Sequence, residues 1–175
     1  MTGAMTDKSK TQPAVVQAEA LLNVRIARVS TVAFFVVSQL KRQIELLSAS
    51  GARVTVVTGG GPEMAALEAV PGINCVSIDI PRSISPWRDL LALLRLYRFF
   101  RRAHIDIAHS TTPKAGLLTA IAAFLAGVPI RLHTFTGQPW VNMKGVGRRL
   151  IRGSDRLIGK LNTRCYADSE RQRQF

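Results

Sequence analysis

Two short segments of the chain bring together side chains able to hold a polar ligand. In His109-Ser110-Thr111-Thr112-Pro113-Lys114 an imidazole, three hydroxyls and an ammonium stand where a buried strand passes into a helix. The free amides of a helix N-terminus add donors, and the set suits sugar hydroxyls or a phosphate. The same residues also have a plain structural use, with Thr112 capping the helix and Lys114 solvated. In His133-Thr134-Phe135-Thr136-Gly137-Gln138-Pro139-Trp140 polar groups alternate with two aromatics able to stack on a sugar ring or to anchor a loop. Gly137 permits close approach of backbone to a ligand. The alternative here is a structural turn with His133 bonded in the core. Both segments follow strands, so both face the same end of a sheet.

Other chemistries lack their residues. Gly59-Gly60-Gly61 follows a strand, but it is not GxGxxG and has no P-loop Lys-Ser/Thr pair, so it reads as a flexible link. No carboxylate pair or Ser-His-Asp set stands out: Asp79, Asp89 and Asp106 occur singly, and Asp106 reads as the polar step into a strand. Cys75 and Cys165 lie far apart without metal spacing and read as buried free thiols, which fits a reducing cytosol; no metal site is expected.

Charge points to an anionic partner. The 175 residues carry 24 Lys and Arg against 11 Asp and Glu, a formal net charge of +13. One basic stretch holds Arg82, Arg88, Arg95, Arg98, Arg101 and Arg102; a later one holds Lys144, Arg148, Arg149, Arg152, Arg156 and Lys160. In the first, Leu90, Leu91, Leu94 and Tyr97 recur at helical spacing and are expected to pack on the sheet, with Arg95, Arg98 and Arg102 outside. Such stretches suit an acidic membrane surface. A phosphate backbone would use the same charges, yet no helix-turn-helix, zinc-finger or RNP pattern supports nucleic-acid binding. Residues 1–12 lack the order of a signal peptide, and Arg95 and Arg98 interrupt the most apolar helix, so no membrane span is expected.

The elements that must position these groups alternate regularly. Residues 1–22 read as a tail and 23–175 as one domain. Strands are expected over 24–29, 53–58, 73–80, 105–109, 130–135 and 164–167, and helices over 36–50, 62–70, 86–103, 113–127 and 147–161. Gly51 is placed to end the first helix, and Ser85 with Pro86 to start the third. Near-continuous apolar strands between amphipathic helices imply an α/β fold: a Rossmann-like parallel sheet with helices on both faces. Ligands then bind beyond the carboxyl ends of the strands, in the loops after Val29, Thr58, Ile80, His109 and Phe135.

Several strings, taken together, resemble the N-terminal half of glycosyltransferase family 4: Thr112-Pro113-Lys114-Ala115-Gly116-Leu117-Leu118, Ala126-Gly127-Val128-Pro129 and His133-Thr134-Phe135-Thr136-Gly137-Gln138. The likeness runs from about Arg25 to Phe175 and is nearest to bacterial members that build surface polysaccharides. It implies the N-terminal half of a GT-B fold, in which this domain receives a glycan acceptor, often lipid-linked, at the inner face of the membrane. A C-terminal domain with an E-x7-E element would bind the nucleotide-sugar donor; transfer would retain anomeric configuration without a bound metal. By the resemblance His109, Thr112, Lys114, His133, Thr136, Gly137 and Gln138 would line the acceptor side, and Arg148, Arg149, Arg152 and Arg156 would contact the membrane. Many family members carry a second histidine where Thr136 stands, and the Gly-Gly loop common after the first strand is replaced by Ser30-Thr31-Val32-Ala33.

The donor domain is not encoded up to Phe175. The expectation is therefore an acceptor-binding half that binds no cofactor, is inactive in sugar transfer alone, and depends on a donor domain or a separate donor subunit. The alternatives are a non-catalytic membrane-surface subunit and, behind it, a charge-driven nucleic-acid-binding protein.

Overall fold

The computed structural model describes residues 21–137 and 139–169. All but two residues of the expected tail, and Gln138, lie outside the described residues. Six strands form one sheet: β1 (Arg25–Val32), β2 (Arg53–Gly59), β3 (Ile73–Ser77), β4 (Ile107–Thr111), β5 (Ile130–Phe135) and β6 (Arg164–Ala167). Their order is β3-β2-β1-β4-β5-β6, and every pairing is parallel. This is the Rossmann-like arrangement expected, and its strand order reverses between β1 and β4.

The helices divide between the faces. A continuous helical run of α1 (Ala33–Phe35), a π-helical turn (Val36–Leu40) and α2 (Lys41–Ala49), followed by the short α3 (Met64–Glu68), covers β1 to β3. Val36, Ile44 and Leu67 pack there on Ile26, Val54 and Val56. Helices α4 (Pro86–Ala103) and α5 (Pro113–Leu125) cover the other face, where Leu96, Phe100 and Leu118 meet Ala27, Val29 and Ala108. Each such buried valine, leucine, isoleucine or phenylalanine contributes about 1.5–3 kcal/mol. Helix α6 (Gly145–Leu161) packs beside α5. Gly51 and Gly127 close α2 and α5 in the left-handed region (φ 85° and 75°), which glycine adopts without a Cβ clash.

Several expectations are corrected. Strand β1 runs to Val32 and carries a bulge, because Val29 pairs with Val57 while Val32 pairs with Gly59. Strand β3 stops at Ser77, although Ile78 and Ile80 stay buried. Ser85 does not cap α4 through its side chain; instead Asp89 Oδ2 accepts a hydrogen bond from the Ser85 amide. The apolar face of α4 is also turned from the one expected. Ala92, Leu96 and Phe100 are buried, whereas Leu90, Leu91 and Leu94 are about two-fifths exposed; Tyr97 does pack on the core. Small Ala92 lets that face approach the sheet closely, and the bulkier leucines are left outside.

The thiols are free as expected but not buried: Cys75 is partly exposed and Cys165 exposed. They lie on β3 and β6, the two edges of the sheet. Six strands at about 4.8 Å spacing put them far beyond disulfide reach. Asp106 has the structural role expected of it. It accepts hydrogen bonds from the Arg25 amide, Nε and Nη2 at 2.9–3.0 Å and ties β4 to β1 at the edge opposite the ligand-binding end.

Candidate functional site: a crevice at the switch point

The reversal between β1 and β4 leaves a crevice at their carboxyl ends, the place where α/β sheets bind ligands. A cavity of about 390 Å³ lies there, lined by Thr31, Val32, Phe34, Phe35, Arg82, Thr112, Pro113 and Lys114. Three loops supply these residues: the β1–α1 passage, the segment before α4 and the β4–α5 junction.

Thr112 joins the walls. Its Oγ1 lies 2.7 Å from Thr31 Oγ1, so one hydrogen bond spans the switch point. It occupies the N-cap position of α5 at φ 67° and ψ 135°, and its side chain makes no capping bond. A β-branched residue at positive φ is strained by about 1–3 kcal/mol, and such strain clusters at ligand sites. The capping role is thus replaced by a bond across the crevice.

Lys114 is not a free cation. Nζ lies 2.6 Å from Asp89 Oδ1 and also donates to the Ser83 carbonyl. The ammonium clamps the loop before α4 onto the start of α5, forming the crevice wall with its charge already met. Arg82 is exposed and brings the other positive charge to the crevice lining.

The histidines lie elsewhere. His133 is 1% exposed, with Nδ1 2.9 Å from Ser110 Oγ and its ring seated on Gly116. Burial holds its pKa down to about 4, so it is a neutral core group. This is the core-bonded alternative for His133, and the residue does not line the crevice. His109 sits on the opposite face of the sheet, half-buried, with Nε2 2.9 Å from Thr134 Oγ1 and its ring 6.2 Å from that of Tyr166. Burial first, then the Arg28 charge, lowers its pKa to about 3. It lies beside the crevice rather than in its lining.

Beyond β5, Thr136 and Gly137 are half-buried, and a Cβ on Gly137 would meet nothing. Trp140 takes the anchoring role. It is 5% exposed and donates from Nε1 to Asp155 Oδ2 at 2.6 Å. The guanidinium groups of Arg148 and Arg152 lie 5.8 and 5.4 Å from its ring centre. With Arg149 and Arg156 they are exposed along one side of α6, and Val146, Leu150 and Leu157 are exposed beside them.

Sequence reasoning missed Phe34 and Phe35, read Arg82 only as part of a basic stretch, and noted Thr31 and Val32 only as replacing a Gly-Gly loop. The position of β1's end was legible as a ligand-binding loop, but only the strand order shows that it faces β4. Among the described residues no cluster of three or more His, Cys, Asp or Glu could hold a metal, and no helix is long and apolar enough to cross a membrane.

Similarity to known proteins follows the same line. The capsular polysaccharide biosynthesis glycosyltransferase CapM of Staphylococcus aureus is 34% identical over 108 residues, 61% of this chain and 27% of that protein. A UDP-Gal:alpha-D-GlcNAc-diphosphoundecaprenol alpha-1,3-galactosyltransferase of Escherichia coli is 37% identical over 70 residues, 40% of this chain and 18% of that protein. The chain thus spans about a quarter or less of these relatives. Solved structures sharing the fold include MurG of Acinetobacter baumannii (TM-score 0.56, 14% identity, 83% of this chain and 41% of that one). A glycosyltransferase from Rickettsia africae aligns at TM-score 0.61 and 16% identity, over 87% of this chain and 38% of that one. A putative UDP-N-acetylglucosamine 2-epimerase from Listeria monocytogenes aligns at 0.64 and 12%, over 87% and 40%, so the fold alone does not choose the reaction. A glycosyl transferase 4-like domain is matched over residues 36–175. The chain belongs to the glycosyl transferase 4-like domain family.

Proposed function

We propose that this domain is the acceptor-binding half of a retaining glycosyltransferase, with the crevice between β1 and β4 as the acceptor site. The observation that carries the reading is the lining itself: bridged threonine hydroxyls and Arg82 beside Phe34 and Phe35, at the switch point. Hydroxyls and a cation suit a sugar or its phosphate, and the apolar walls suit the remainder of an amphipathic acceptor. The relatives' names, one of them a diphosphoundecaprenol-directed galactosyltransferase, support a lipid-linked acceptor. Thr112 would contact the acceptor, Lys114 would hold the wall, and Thr136, Gly137 and His109 would border the site. The nucleotide-sugar donor would be held by a second domain or subunit.

Docking on an acidic membrane fits the same end of the fold. The exposed side of α6 offers Arg148, Arg149, Arg152 and Arg156 next to Val146 and Leu150. Near α4, Ile84 (87%) and Trp87 (70%) are exposed with Leu90, Leu91 and Leu94, and Arg88 and Arg95 accompany them. Basic residues with adjoining aromatic and aliphatic groups are the composition of interfacial helices.

Equilibrium binding of a lipid-linked acceptor analogue tests the reading. The expected result is acceptor binding that Arg82→Ala and Thr112→Val each weaken, with no uptake of a uridine nucleotide. Nucleotide binding by this chain, or acceptor affinity unchanged in both variants, would overturn it.

A further inference from the structure

Arg28 is a buried charge with nothing to meet it. The side chain is 2% exposed, Nε and Nη1 have no hydrogen-bond acceptor, and no carboxylate pairs with it among the described residues. Burial lowers its pKa only to about 10, so it keeps its proton at neutral pH. An unpaired buried guanidinium is heavily penalised, and folded proteins ordinarily supply a counter-charge.

Its surroundings share the deficit. Arg28 pairs in register with Val56 and His109, so Thr58 and Thr111, two residues further along β2 and β4, stand on the same face. Thr58 Oγ1, Thr111 Oγ1 and Ser30 Oγ, the last at the β1 bulge, are buried without a partner. Thr58 and Ser30 are 0% exposed, and Thr111 is 2%. A row of unmet donors therefore crosses the three central strands near their carboxyl edge. Val36, the first residue of the π-helical turn, packs on that face. Such turns insert an extra residue into a helix and recur at functional sites.

We propose that Arg28 is the cation of a small oxyanion site beneath the π-helical turn, with Ser30, Thr58 and Thr111 as hydroxyl donors. The bound group is a phosphate or carboxylate. Guanidinium forks and hydroxyls match such oxygens in number and geometry. The site stands apart from the crevice lining and does not depend on the sugar-transfer reading.

The test is thermal unfolding of the whole chain in inorganic phosphate, and separately in acetate, at ionic strength held constant with chloride. Binding to the folded state alone raises the melting temperature in a saturable way. That rise is expected with phosphate, acetate or both, and the anion that acts names the group. In Arg28→Met the saturable part should vanish. The same response in the variant, or none in the wild type, would overturn the site and leave ordered water as the row's partner. If Arg28→Met does not fold, the imidazole resonances of the wild type decide. His109, beside Arg28, should shift and saturate with the anion while exposed His104 does not; a static His109 would refute the proposal.

Discussion

Replacing Gly116 by alanine should destabilise this domain even though it improves a helix. Gly116 lies within α5, where alanine is favoured over glycine by about 1 kcal/mol. A Cβ there would stand 2.4 Å from His133 Cε1 and 2.8 Å from Nδ1. The ring is buried between α5 and the sheet, so it has no free direction in which to yield. Overpacking of this kind costs about 1–3 kcal/mol. Displacing the ring also breaks the bond between His133 Nδ1 and Ser110 Oγ, worth about 1 kcal/mol. The net is a loss of about 1–3 kcal/mol, or roughly 3–10 °C in melting temperature for a chain of this size. Thermal unfolding by circular dichroism reads it directly. Gly116→Ala combined with His133→Ala should be less destabilised than the sum of the two, because the methyl then occupies space that the ring has left. A single variant that melts at or above the wild type would show that the ring does not require glycine.

Three further outcomes are expected. His133, with a folded pKa near 4 against about 6.5 unfolded, leaves the unfolded chain binding the extra proton between those values. Stability should therefore fall as pH drops through that window, His133 contributing at most about 1.4 kcal/mol per unit beside a like contribution from His109, whose folded pKa is about 3. His133→Phe should roughly halve this part of a urea-midpoint profile. Lys114→Met should lose about 1–3 kcal/mol by leaving the partly buried Asp89 carboxylate unpaired, and adding Asp89→Asn should cost little more in a denaturant titration. Trp87 is the exposed tryptophan and Trp140 the buried one, so binding to anionic vesicles should blue-shift emission in the wild type but not in Trp87→Ser; an equal shift in both would place α4 away from the bilayer.

Periodicity made most of the architecture legible. Helix α4 and strands β5 and β6 lie where the sequence places them, since Pro86, Ile130 and the apolar runs mark their ends clearly. What failed was orientation. Helix α4 has apolar residues on more than one side, so spacing alone could not choose between the Leu90–Leu94 face and the Ala92–Leu96–Phe100 face. The choice is made by how closely a helix can approach the sheet, which is a tertiary fact. The site was half legible for a related reason. Thr112 and Lys114 stood out by type, but Thr31 and Arg82 acquire meaning only from neighbours 81 and 32 residues away. His133 was chosen for its chemistry, yet on a strand of which it is the one fully buried residue the alternation of side chains decides whether a histidine meets ligand or core.

The bond between Thr31 and Thr112 also bears on when the site comes into being. Strand β1 meets β2 across 28 residues, as Arg25 opposite Arg53, but meets β4 only across 81. On a logarithmic closure law the longer loop costs about 1 kcal/mol more entropy. A chain emerging from the ribosome can therefore pair β1 with β2, and β2 with β3, long before β4 exists, and that early half-sheet has only one wall of the crevice. The crevice is a late product of folding, completed in the step that closes the centre of the sheet. Compounds that grip both walls should stabilise only the closed sheet, while probes of the β1–β3 half should register structure before any such binding is possible.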